Sequence, residues 1–314
     1  MKIARYPHFK SEVTSLTYPD AYNGSVAVYD GRNGTKRLHL SKIGDVPIQY
    51  DRQLPDGRMK TCTVKREGDR WYAVLTVDVA DIPMFAVARP YNPVGVDLGL
   101  GSIAAMSTGK TVRAPKFFRR SERSLRRAQR KLSRKVKGSN RWKRQKVVVG
   151  RCHAKVKGQR RDFAHKLTTG WANAHDLIAF EDMDVRPLGM GMHAKSIHDA
   201  GWGILRQMCA YKMQRSGGAY VEVKTAGTTQ ECSKCGRSAD PPLTLGDRFY
   251  RCLCGHAEDR DVNASRNILR RALEGVRQGM PELTRVERVA NTSPSGRRAV
   301  SVKREPPAAK EVAF

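Results

Sequence analysis

Between Lys116 and Arg161 the chain carries 20 Lys or Arg residues against a single acid, Glu122. A segment so charged cannot lie in a hydrophobic core, and a paired-helix arm with one packed face and a charged exterior fits it best. Few helix breakers interrupt Arg119–Lys135, and Phe118, Leu125, Ala128 and Leu132 give it one sparse apolar stripe. Lys137–Arg141 reads as a turn. A second helix is expected from Trp142 through His165, with an interruption near Gly150 and a further weak point at Gly158. The expectation is a basic helical arm over residues 116–166. A merely solvated charge run mixes signs, whereas this one is almost uniform. Arg119, Arg120, Arg123, Arg126, Arg127, Arg130, Lys131, Arg134, Lys135, Arg141, Lys143 and Arg144 are therefore read as phosphate contacts. The net charge of +29 extends the argument to the whole chain and makes nucleic acid the first candidate partner. Charge alone identifies no enzyme.

Before the arm, residues 1–92 read as a small β domain. Arg37–Tyr50 alternates around a Gly-Asp turn, and Met59–Val79 reads as a hairpin around Glu67-Gly68-Asp69. The first thirty residues look short and irregular. Val94–Asp97 is a buried-strand signal, Ser102–Met106 a second strand, and Val112 begins a third. After the arm, Asp176–Val185 is an apolar strand running into acids, and Pro187–Ser196 reads as a mobile loop. Asp199–Gly218 is an amphipathic helix, Ala219–Lys224 a strand and Asp261–Leu273 a helix. Residues 281–314 are polar and expected to be a disordered tail.

Three acids stand out by context. Asp97 and Glu181 end predicted strands, and Asp261 begins a predicted helix, where the dipole favours negative charge. Only a fold could gather residues so far apart in sequence. Clustered carboxylates repel until a cation joins them, and Mg²⁺ or Mn²⁺ suits such hard oxygen donors. Two such ions about 4 Å apart can activate water and stabilise the leaving oxygen in phosphodiester hydrolysis. Ordinary surface acids are the competing reading, and Asp182, Asp184 and Asp259 compete for individual positions. Gly95, Gly99 and Gly101 form no dinucleotide fingerprint. There is no Walker-type loop, and no Ser-His or Cys-His pair offers a comparable constellation.

Cys232, Cys235, Cys252 and Cys254 form a Cys-x-x-Cys pair and a Cys-x-Cys pair separated by 16 residues. Four thiolates match tetrahedral structural Zn²⁺, and the pattern points to a reducing compartment rather than a disulfide scaffold. The second pair is shorter than the usual knuckle, which makes His256 an alternative ligand, and redox-active thiols are a competing reading. Cys62, Cys152 and Cys209 are isolated thiols. Neither a signal peptide nor a membrane span is visible, so a cytoplasmic, nucleoid-associated protein is expected.

"VGVDLGL", "FEDMDV", "TTQECSKCG" and "DRDVNASRNIL" together resemble the successive signatures of the TnpB family, RNA-guided nucleases of insertion sequences similar to compact type V CRISPR effectors. "WYAVLTVDV", "RRAQRKLSRKVKGSNRWKRQK" and "QRRDFAHKLTT" extend the similarity over about residues 35–275. The resemblance implies an α/β fold: an RNase H-like (RuvC) nuclease domain over 93–275 with inserted basic helices and a zinc ribbon over 228–257. A small, incomplete β wedge domain would precede it. It assigns catalysis and Mg²⁺ or Mn²⁺ binding to Asp97, Glu181 and Asp261, displacing Asp259, and zinc to the four cysteines. Implied partners are a guide RNA from the transposon end and double-stranded target DNA beside a short DNA motif, cut to leave 5′-phosphate and 3′-hydroxyl ends. On this resemblance the family's additional N-terminal helical recognition region is expected to be missing. The alternative expectation is accordingly a guide-RNA- or DNA-binding protein without effective nuclease activity.

Overall fold

The computed structural model describes residues 13–31, 34–49, 54–79, 90–184, 194–224, 226–244, 246–277 and 310–313. The chain is mixed α/β and forms two compact units. One comprises Met1–Asp81, Ala128–Ala154 and Val302–Phe314, and the other Ile82–Arg127 and Lys155–Ser301.

The first unit is built on β1 (Ser15–Tyr18), β2 (Val26–Asp30), β3 (Lys36–Leu40), β4 (Gly44–Pro47), β5 (Arg58–Glu67) and β6 (Arg70–Asp78). One sheet has the order β1-β5-β6 and is extended at β6 by β14 (Lys310–Ala313); the other has the order β2-β3-β4. Alternation along β5 and β6 points Cys62, Val64, Ala73 and Leu75 into a core completed by Ala21, Val26, Leu38, Leu40 and Ile48. Burial pushes the Cys62 thiol up to about 11, which keeps it an inert apolar filler. The expected hairpin turn falls at Gly68-Asp69, where Gly68 supplies φ +68.

Three expectations need correction in this unit. Within the first thirty residues, of which 1–12 lie outside the described residues, Ser15–Tyr18 and Val26–Asp30 are strands rather than irregular chain, paired with β5 and β3. The β3–β4 turn occupies Ser41–Ile43 rather than Gly44-Asp45, with Lys42 in the left-handed region. Of the expected disordered tail, Lys310–Ala313 instead form an antiparallel edge strand on β6; residues 281–309 lie outside the described residues.

The second unit centres on a five-stranded sheet. Its members are β7 (Pro93–Asp97), β8 (Ser102–Met106), β9 (Thr111–Arg113), β10 (Leu177–Asp182) and β11 (Ala219–Lys224), in the order β11-β10-β7-β8-β9. β7, β10 and β11 run parallel, and β8 and β9 are antiparallel additions. The basic segment supplies α1 (Phe117–Ser133) and α2 (Asn140–Ala174). They are followed by α3 (Ala194–Ala200), α4 (Trp202–Ser216) and α5 (Arg260–Arg277). β10 is apolar at every inner position because both its faces are covered. Ile178 and Phe180 pack with Val94, Val96 and side chains of α2 and α4, such as Trp171 and Leu205. Leu177 and Ala179 face the other way, towards Ile268 and Ala272 of α5.

Two helix expectations also change. No break occurs at Gly150 or Gly158: α2 is continuous over 35 residues, roughly 50 Å. Gly150 lies beside Gly68 of the β5–β6 turn, where Arg151 also forms a bidentate pair with Asp69 at 2.6 and 3.0 Å; packing there offsets the weak intrinsic propensity. The helix expected from Asp199 is two helices, separated at Gly201 with φ +66. Asp199 accepts from the Phe118 N–H in the first turn of α1 at 2.9 Å and from Arg160 of α2 at 2.7 and 3.0 Å. That buried carboxylate ties together α1, α2 and α3. The loop expected over Pro187–Ser196 lies outside the described residues except where its end enters α3. Among the described residues, no helix is long and apolar enough to cross a membrane.

Candidate active site

Strand alternation decides which acids can meet. In β7, Val94 and Val96 belong to the α2/α4 face, so Gly95 and Asp97 point to the α5 face. The same rule puts Leu177, Ala179 and Glu181 of β10 on the α5 face. β7 and β10 are parallel neighbours with Val96 opposite Phe180, so Asp97 and Glu181 follow at the same level, on strands about 4.8 Å apart.

α5 delivers the third acid. Gly95 permits close approach of this helix: a Cβ there would lie 2.1 Å from the Ser265 carbonyl oxygen. Asp261 sits in the first turn of α5. Its Oδ2 lies 3.8 Å from where a Cβ on Gly99 would stand, just beyond Asp97.

The electrostatics agree with this convergence. The Asp97 carboxyl is pushed up to about 7, first by burial and then by the charges of Asp261 and Glu181, with Arg260 opposing. Burial also raises Glu181, opposed by a hydrogen bond from Thr228 and the charge of Arg271. Two competing acids have other tasks. Asp259 accepts from the backbone N–H groups of Asp261 and Val262 at 2.9 and 3.2 Å, which makes it the N-cap of α5. Asp182 points to the opposite face of β10, largely exposed and 3.7 Å from Arg206. Asp184 is exposed.

Among the described residues, the four cysteines form a group whose ligand atoms all lie within 4.8 Å of one another. The all-oxygen donors of the three acids fit Mg²⁺ or Mn²⁺.

The cysteine cluster is compact. Cys232 and Cys254 sulfurs are 3.8 Å apart, and those of Cys235 and Cys252 are 3.5 Å apart. Tetrahedral thiolates about 2.3 Å from Zn²⁺ stand roughly 3.8 Å from one another. The shortened second pair therefore still closes a four-sulfur set. His256 stays out of it, 3.2 Å from Ser233 Oγ and 3.5 Å from Glu258. The Arg237 backbone N–H, foremost among several hydrogen bonds, lowers the Cys235 thiol to about 7, which favours the ligating thiolate. β12 (Phe249–Arg251) pairs with β13 (Ala257–Asp259) beneath the cluster, and the fully buried Tyr250 donates to the Arg237 carbonyl at 3.0 Å.

On the arm, Arg119, Arg120, Arg123, Arg126, Arg127, Arg130, Lys131, Arg134, Arg141, Lys143 and Arg144 are exposed, while Lys135 is half-buried. Glu122 engages Arg119, Arg126 and Lys195 at 3.7, 3.3 and 3.1 Å. Leu125 and Ala128 form the packed stripe.

Sequence reasoning missed the polar frame around the acids. Thr228, Asn263 and Asn267 are fully or almost fully buried, yet hydrogen-bonded. The Asn-x-x-x-Asn spacing on one helical face was the available signal.

The family described as "Probable transposase" (OrfB_IS605) matches residues 75–189, and the "Cas12f1-like, TNB domain" matches residues 202–268. A Streptomyces pristinaespiralis protein, "Putative RNA-guided DNA endonuclease", is 36% identical over 85% of this chain and 66% of its own length. "Putative RNA-guided DNA endonuclease InsQ" of Escherichia coli K12 is 32% identical over 85% of this chain and 69% of its own. The chain thus spans about two thirds of the length of these two relatives. A solved "Cas12f1-sgRNA-target DNA complex" aligns at TM-score 0.42 and 14% identity, over 83% of this chain and 68% of the other.

Proposed function

The chain belongs to the TnpB family of transposon proteins, and on that footing we propose that it is an RNA-guided DNA endonuclease hydrolysing phosphodiester bonds at Asp97, Glu181 and Asp261. The proposal includes an RNase H-like (RuvC) arrangement for the second unit and structural zinc at the four cysteines. Its partners would be a guide RNA from the transposon end and double-stranded target DNA, which would associate it with the nucleoid. One observation carries the reading. Three acids from remote segments converge at one end of a sheet, and the charges of two of them help hold the buried third up near neutrality.

Asp97, Glu181 and Asp261 would hold Mg²⁺ or Mn²⁺. When bound, such ions supply positive charge at the phosphoryl oxygens and a more acidic water. The protein supplies the positioning. Adjacent parallel strands fix Asp97 and Glu181, α5 fixes Asp261, and the Arg260 guanidinium offsets part of the negative charge beside them. Exposed Arg and Lys of α1 and the first turns of α2 would grip backbone phosphates without reading sequence, which guide pairing would supply.

The test is to sequence RNA that copurifies with the protein and offer the complex a matching DNA library with Mg²⁺. Cleavage at matched targets that is lost in Asp97→Ala and Glu181→Ala, with binding retained, is expected. Cleavage unchanged by either substitution would remove the proposed site. Binding without any metal-dependent product would favour a binding-only protein.

A further inference from the structure

The segment between β11 and the cysteine cluster is fastened to α5 at several points. Glu231 is the residue immediately before Cys232, and its carbonyl accepts from the side-chain amides of Asn263 and Asn267, both at 2.7 Å. Its carboxylate meets Arg270 at 2.9 Å and Arg271 at 2.8 Å. Asn267 also donates to the carbonyl of Thr228 at 2.9 Å. Asn263 accepts from the backbone N–H of Ser233, inside the first cysteine turn, at 2.9 Å. Thr228 is 1% exposed, and its hydroxyl donates to Glu181 Oε1 at 2.7 Å.

A buried hydroxyl directed at an acid is costly unless the contact matters, because both groups give up water. This contact fixes one carboxylate oxygen at the end of β10. It is held by the same helix, α5, that presents Asp261. We propose that Thr228 is the positioning residue for Glu181, and that Glu231, Asn263 and Asn267 lock Thr228 to α5 so that two acids of the centre share one frame. This rests on the reading of Asp97, Glu181 and Asp261 as a divalent-cation site. The cysteine cluster then has a second consequence besides its own stability. It anchors the segment that orients Glu181.

The experiment uses the full-length, zinc-loaded protein and Mn²⁺ alone as the probe, with bound Mn²⁺ counted by electron paramagnetic resonance. Hydrogen-bond partners of metal ligands are typically worth about 10–100-fold in affinity. Thr228→Val should weaken Mn²⁺ binding at least about tenfold, while Thr228→Ser, which keeps the hydroxyl, should restore most of it. In a Glu181→Gln background, Thr228→Val should add little further loss, because its effect runs through Glu181. Equal affinity in Thr228→Val and the parent, with Asp97→Ala abolishing binding, would overturn the positioning role alone. A full additional loss in the Glu181→Gln background would mark general damage and overturn that role as well. Mn²⁺ binding by the parent that survives Asp97→Ala would instead overturn the underlying reading of the site.

Discussion

Replacing Gly95 by Ala tests how the acid centre is assembled without touching an acid. The added Cβ would stand 2.1 Å from the Ser265 carbonyl oxygen, 2.8 Å from the Leu269 nitrogen and 2.9 Å from Leu269 Cβ. Two of these neighbours are backbone atoms of α5, so no side-chain rotation relieves the clash. Restoring an ordinary contact requires α5 and β7 to part by about 1 Å. Overpacking of this kind costs about 1–3 kcal/mol. For a unit of this size, that corresponds to a fall in thermal midpoint of roughly 2–12 °C. Asp261 begins the displaced helix, so the same shift enlarges the acid spacing. Displacements of about 1 Å can cost on the order of 100-fold in rate. The assay pairs thermal unfolding by circular dichroism with Mn²⁺ titration of the full chain. A midpoint within about 1 °C of the parent, together with unchanged Mn²⁺ affinity, would refute the claim that Gly95 sets the α5–β7 distance.

Other outcomes follow from the same structure. Asp97 has a folded pKa raised to about 7, so without added divalent cation its contribution to stability is present in acid and is lost as pH rises through about 7. Asp97→Asn should therefore match the parent near pH 4 and exceed it above pH 7, by about 1 kcal/mol or more in urea unfolding; identical pH profiles would contradict this. Asp199→Asn leaves Arg160 without its buried carboxylate and should cost about 3 kcal/mol, read by urea unfolding, with a change under about 0.5 kcal/mol counting against the tie between α1, α2 and α3. Cys235→Ser should lower zinc content below one per chain, measured by metal analysis of the purified protein, and an unchanged content would argue for a different ligand. Reversing Arg126, Arg130 and Lys131 to Glu should flatten the salt dependence of nucleic-acid binding by about 0.7–0.9 log units per lost phosphate contact, and an unaltered slope would clear these residues of contact.

Local pattern was legible wherever one physical cause dominated. β8 and β11 fall on their expected residues because apolar strand runs and neighbouring turns coincide there. Asp97, Glu181 and Asp261 could be singled out because charge at the end of an apolar run, or at the start of a helix, is conspicuous. The split at Gly201 was not legible, since it reflects a left-handed glycine between two helices and the pull of Arg160 and Phe118 on Asp199. Nor was the continuity of α2, where packing beside Gly68 prevails over the weak propensity of Gly150. The pairing of β1 with β5 joins residues nearly 50 apart, beyond what local patterning carries. Spacing alone left Asp259 and Asp261 as rivals; the family resemblance favoured Asp261, and the cap geometry gives Asp259 a separate task at the same helix start.

The dispersal of the acids along the chain bears on when chemistry can begin during synthesis. About 160 residues separate Asp97 from Asp261. At about 5–20 residues per second, a ribosome takes roughly 8–30 s to pass from one to the other. Once Arg161 has been made, the basic arm is complete and able to attract polyanions, but Asp261 still lies 100 residues ahead. Reading-frame loss after the arm and before Asp261 would release a product that still carries the arm and lacks the third acid. Such a product could occupy nucleic acid without cutting it.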